Sequence, residues 1–102
     1  MPEPASPELS GRIAAAEAEI LRLARSVVPE VRAVSAPTRE FYSCTLVVGT
    51  DDEKRRINED AALLEKMVEA AALAGRKPDY LTAESQETVD RRWNGDWNYV
   101  WR

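Results

Sequence analysis

The chain has 102 residues, of which 44% are hydrophobic and 31% charged, and its net charge is −4. At that length it is expected to form one domain, because two halves would each be too small to bury a core. It contains no histidine and a single cysteine. That excludes Ser-His-Asp and Cys-His nucleophilic sites, an intramolecular disulfide, and the His- or Cys-rich ligand sets of most zinc and iron–sulfur centres.

The acidic balance, with a pI near 4.9, runs against a nucleic-acid partner, which calls for a clustered basic surface. Lys54-Arg55-Arg56 has acids on either side. No apolar run is long enough to cross a bilayer, so no membrane partner is expected. The first residues, Met1-Pro2-Glu3-Pro4, lack the basic start and apolar core of a secretory signal. Together with the lone Cys44, this leads us to expect a cytoplasmic address. Eleven arginines against three lysines, and fifteen alanines, resemble the composition of a high-GC bacterium or its phage.

Residues 1–8 carry three prolines and no large apolar side chain and read as a disordered N-terminal arm. Residues 9–102 then form a single α+β domain. Ser6, Pro7 and Glu8 supply an N-cap hydroxyl, a first-turn proline and a first-turn acid. Leu9, Ile13, Ala16, Ile20, Leu23 and Val27 follow at four-three spacing. This predicts a helix over 7–28, ended by Pro29. Residues 30–38 fit either an extra helical turn or a brief edge strand. From Glu40 to Val48 aromatic and β-branched residues dominate. Alternation puts Tyr42, Cys44, Leu46 and Val48 on one face of a strand.

Thr50 and Glu53 have capping-box spacing, and a helix over 53–74 is predicted from Ile57, Ala61, Leu64, Val68 and Ala71, with Leu63 and Met67 widening the stripe. Gly75 is a candidate left-handed C-cap, and Pro78 prevents re-entry. Tyr80, Leu81 and Ala83 suggest another strand, with Ser85–Thr88 either its continuation or a helical turn. Asn94-Gly95 signals a two-residue hairpin between 89–93 and 96–101. The predicted fold is α+β: a two-layer arrangement of an antiparallel β-sheet with two amphipathic helices on one face. Leu46, Ile57, Leu64 and Val68 are expected in the core.

In that hairpin Arg92 would oppose Trp97, and Trp97, Tyr99 and Trp101 would share Arg92's face. Aromatic and arginine side chains are enriched at interface hot spots. Arg92, Trp97, Tyr99 and Trp101 are therefore the candidate partner-binding residues, with burial of the aromatics beneath the helices as the alternative. Cys44, mid-strand among apolar neighbours, is expected to be buried and unreactive. Asp51-Asp52 suits helix capping better than a cation, and Asp51, Asp52, Glu59 and Asp60 match no calcium-loop pattern. With only four glycines there is no phosphate-binding loop. No catalytic residue, cofactor or metal is assigned.

The expected function is that of a non-catalytic protein-interaction or accessory module, bound to a protein partner or to itself as a homodimer. One alternative is an acidic inhibitor or immunity-type protein masking a basic toxin or nuclease. Another is a small carboxylate-dependent enzyme or ligand binder, with Tyr42, Asp79, Tyr80, Glu84 and Arg91 as the available acid–base groups.

Overall fold

A computed structural model of the protein describes residues 7–97. The chain runs through α1 (Pro7–Ala24), β1 (Arg32–Pro37), β2 (Phe41–Val48), α2 (Asp51–Asn58), α3 (Ala61–Ala71), a 3₁₀ turn at Ala72–Ala74, β3 (Lys77–Ser85) and α4 (Gln86–Trp93). The α+β class stands, with four helices and a three-stranded sheet among the described residues. Ser6 and the rest of 1–6 lie outside them, as do 98–102.

The sheet has β2 at its centre. β1 pairs with it antiparallel, Val34 facing Thr45, through the turn at 38–40. β3 pairs with it parallel, Cys44 facing Leu81, after a crossover through α2 and α3. The expected antiparallel sheet is thus corrected to a mixed one. A parallel neighbour requires a long connection rather than a hairpin, and residues 49–76 supply it. Of the two readings of 30–38, the edge strand is the one the chain adopts.

The register slips by one residue between Tyr42 and Ser43, so Asp79 has no partner of its own and Tyr80 falls opposite Ser43. Side chains alternate along a strand, so a one-residue slip exchanges its two faces. Beyond the slip, Leu81 and Ala83 turn to the side of Tyr42, Cys44 and Leu46, while Tyr80 and Thr82 turn to the other. Ala83 is 1% exposed and Tyr80 53%.

The core joins that inner side of β2 to Ala16, Ile20 and Ala24 of α1 and to Leu63, Met67, Ala70 and Ala71 of α3. Tyr42, Cys44, Leu46 and Val48 are all buried, the strand face that alternation predicts.

The single helix expected over 53–74 is two helices. α2 begins with the predicted capping box: Thr50 Oγ1 accepts from Glu53 N, and Thr50 N donates to Glu53 Oε1. It stops at Asn58, and Asp60 then caps α3 by accepting from Leu63 N. This break resets the helix phase. Leu63 and Met67, at the margin of the predicted stripe, become its centre, and Leu64 packs at the core's edge. Val68 is 42% exposed rather than buried. Gly75 ends the 3₁₀ turn in the left-handed conformation (φ 74°), as expected.

Residues 86–93 are helical, so the first arm of the predicted C-terminal hairpin is instead α4. Ser85 caps its start by accepting from Thr88 N. Asn94 and Gly95 both have positive φ, and both donate their N–H to Val89 O. The feature that makes Asn-Gly a hairpin signal, tolerance of the left-handed region, also makes it a helix C-cap. Of the second arm, 96–101, Asp96 and Trp97 are not in a strand, and 98–101 lie outside the described residues.

Leu46 is fully buried, so Leu46→Ala should lower stability by about 2–5 kcal/mol in urea unfolding. Val68→Ala should stay within about 0.5 kcal/mol of the parent. Equal effects of the two substitutions would show that the α3 phase described above is wrong.

Candidate functional site

Two faces of the sheet are built from alternate residues of the same strands, and only one is the core. On the other, register aligns three rows: Arg32, Val47 and Glu84; Val34, Thr45 and Thr82; Ala36, Ser43 and Tyr80. Phe41 extends this face by alternation. Val34, Phe41 and Tyr80 are 43%, 37% and 53% exposed, whereas Thr45 at the centre is 6% exposed because its neighbours close over it. β2 thus carries apolar side chains on both faces, Phe41 and Val47 standing on the outer one to either side of Ser43 and Thr45.

At one end of this face Lys54 of α2 donates to Glu84 Oε1 at 2.8 Å. Beside it, the Asn58 side chain bonds the outer edge of β3. Its Oδ1 accepts from Ala83 N at 2.8 Å and from Thr82 Oγ1 at 3.1 Å, and its Nδ2 donates to Ala83 O at 3.0 Å. The amide takes the place of a neighbouring strand.

A second polar cluster joins α2, β3 and α4. Asp51 Oδ1 accepts from Ser85 Oγ and from Thr88 Oγ1, each at 2.5 Å, and Asp51 Oδ2 accepts from Arg91 Nη1 at 3.0 Å. Ser85 and Thr88 are buried. These hydrogen bonds, from Ser85 first and then Thr88 and Arg91, hold the Asp51 carboxyl well below the usual carboxylate range. The cleft over the cluster, about 320 Å³, is also lined by Lys54, Arg55, Asn58 and Glu59. Every acceptor bond of Asp51 goes to a group that positions α4, so the cluster works as a structural tie. Ser85 accepts from the Thr88 amide and donates its proton to Asp51, a carboxylate whose lowered titration makes it a weak base for activating a hydroxyl.

A third set runs between α1 and the sheet. Ser35 Oγ donates to Glu17 Oε2 at 2.5 Å and lies 2.7 Å from the Tyr42 hydroxyl. Burial pushes the Tyr42 phenol up to about 12 and the Cys44 thiol up to about 11, so both stay protonated at neutral pH. A thiol held protonated is a poor nucleophile and metal ligand. Tyr42 and Tyr80 point to opposite faces of the sheet, Glu84 is engaged by Lys54, and Arg91 by Asp51. The acid–base groups available in the sequence are thus dispersed rather than gathered.

Of the residues proposed from the sequence as a partner surface, Arg92 is exposed on α4. Trp97 is half-buried, with its indole Nε1 donating to Gln86 Oε1 at 2.7 Å. The cross-strand pairing expected to bring the two together is absent, since Arg92 is helical. Tyr99 and Trp101 lie outside the described residues. Sequence reasoning missed Val34, Phe41 and Tyr80, though the two-sided apolar character of 41–48 was the available signal.

No family model matches the chain, and comparison with curated proteins and with solved structures finds no match.

Asp51 sets a pH dependence. Its carboxyl titrates lower when folded than when unfolded, so its contribution is complete above about pH 4 and is lost as the pH falls further. Asp51→Asn should lower stability at neutral pH and flatten the loss on acidification below about pH 4, as read by urea unfolding across that range. Parallel curves for parent and variant would refute the tie.

Proposed function

We propose that the chain is a non-catalytic protein-interaction module, an accessory or regulatory part of a complex, and that its working surface is the outer face of the sheet. The observation that carries this reading is the exposure of Val34, Phe41 and Tyr80 on that face. An exposed apolar patch rimmed by polar residues marks a contact surface. Here the rim is Arg32, Lys54 and Glu84, and Ser43, Thr45 and Thr82 place hydroxyls among the apolar side chains, which suits a surface that must also meet water. This surface is distinct from Arg92, Trp97, Tyr99 and Trp101, the partner surface expected from the sequence. Trp97 gives its indole donor to Gln86, the first residue of α4, a contact that supports a role in tying the segment after the helix back to its start.

A photo-reactive benzoylphenylalanine at position 80, introduced in the native host, should form discrete protein adducts. The same group at Glu65, exposed on α3, should not. Tyr80→Ser should meanwhile leave unfolding stability within about 1 kcal/mol, as expected for an exposed position. Adduct patterns that are the same from positions 80 and 65, or absent from both, would reject the sheet face as the contact surface.

A further inference from the structure

The outer face of the sheet is complementary to itself. Its rows run across the strands with β2 in the middle, so rotating a second copy by half a turn about an axis along β2 stacks β1 of one copy over β3 of the other. Each row then meets itself reversed. The small Ala36 faces the large Tyr80 of the other copy, and Tyr80 faces the other Ala36. Val34 faces Thr82, a residue of nearly the same shape. Arg32 faces Glu84. That carboxylate is 18% exposed and already accepts from Lys54 and from Ser85 N through Oε1, which leaves Oε2 for the arginine of the second copy. Along the axis itself lie Phe41, Ser43, Thr45 and Val47; the last three are small enough for two sheets to approach to the ~10 Å separation of packed sheets, and Phe41, at the end of the row, meets the Phe41 of the second copy.

The other half-turn axis in the plane, across the strands, gives no such match. It sets Arg32 against Ala36 and Glu84 against Tyr80, leaving both charges on apolar neighbours. Closed two-fold pairing through one self-complementary patch is the commonest form of oligomer.

We infer that the partner of the sheet face is a second copy of this chain, joined face to face about a two-fold axis along β2, with Ala36–Tyr80 and Arg32–Glu84 as its reciprocal contacts. This rests on the sheet face being the interaction surface.

The test uses the size match, because Ala36 and Tyr80 are both exposed and can be changed without entering the core. The parent chain should sediment at twice its 11.4 kDa. Ala36→Tyr brings two tyrosines together at each end, and Tyr80→Ala leaves two alanines. Each variant alone should dimerise about tenfold or more weakly, on the order of a lost hot spot. Mixed together, the two variants should pair with each other at near-parental strength, since every large residue again meets a small one. Charge reversal, with Arg32→Glu mixed with Glu84→Arg, should behave the same way and provides an independent check. A parent that sediments as a monomer at all concentrations would overturn the inference, as would a dimer unaffected by either size variant or a mixture no tighter than its components. The adducts formed from position 80 separate the two proposals. Adducts only to another protein would leave the interaction surface standing but remove the second copy as its occupant, while absence of any adduct would remove both.

Discussion

Between Tyr42 and Ser43 the pairing of β2 with β3 slips by a single residue, and the division of this molecule into inside and outside follows from it. Without the slip, Leu81, Ala83 and Ser85 would stand on the same side as Thr45 and Val47. The core would lose Leu81 and Ala83, and Ser85 could not reach Asp51 or cap α4. With the slip in place, α1 and α3 find an unbroken apolar surface, and Tyr80 is displayed beside Ser43. Asp79, the extra residue, suits this position because its polar side chain tolerates the solvent-facing irregularity.

The elements around the sheet are then tied by a few short-range polar contacts, each of which settles an orientation that apolar packing alone would leave loose. Asp51 is the first residue of α2, yet its oxygens are spent on Ser85, Thr88 and Arg91 rather than on its own helix. Thr50 and Glu53 do the capping in its place. One carboxylate thereby fixes the start of α2, the end of β3 and the first two turns of α4. Ser35 plays a similar part between α1 and the sheet, its hydroxyl bridging Glu17 and Tyr42.

What could be read in the sequence was whatever a local rule decides. The first helix, which ends at Ala24 rather than at the predicted residue 28, the β2 face of Tyr42, Cys44, Leu46 and Val48, the Thr50–Glu53 box and the Gly75 cap all depend on residues within a few positions of one another. The misreadings arose where one local signal serves two structures. Asp60 caps a new helix, but it sits inside a pattern that also reads as one continuous amphipathic helix, so the inward stripe was centred on Leu64 and Val68 instead of Leu63 and Met67. Asn94-Gly95 announces two residues of positive φ, and a helix terminus uses them as well as a hairpin does. The parallel pairing of β2 with β3 was out of reach, because it brings together residues more than thirty positions apart. So was the outer sheet face, whose rows exist only once that pairing and its slip are known.

The contact of Asn58 with Ala83 has a further consequence, for how large an assembly of this chain can become. A three-stranded sheet has two edges, and a chain with both of them open can add neighbours without limit. Here the β3 edge is occupied at Ala83 by a side-chain amide that uses both the donor and the acceptor an incoming strand would need. The β1 edge is six residues long and ends at Pro37, which has no N–H to offer. Growth strand by strand into a fibril is therefore interrupted at Ala83 on one side and cut short on the other. The molecule can display a partly apolar sheet face while its edges keep that display finite.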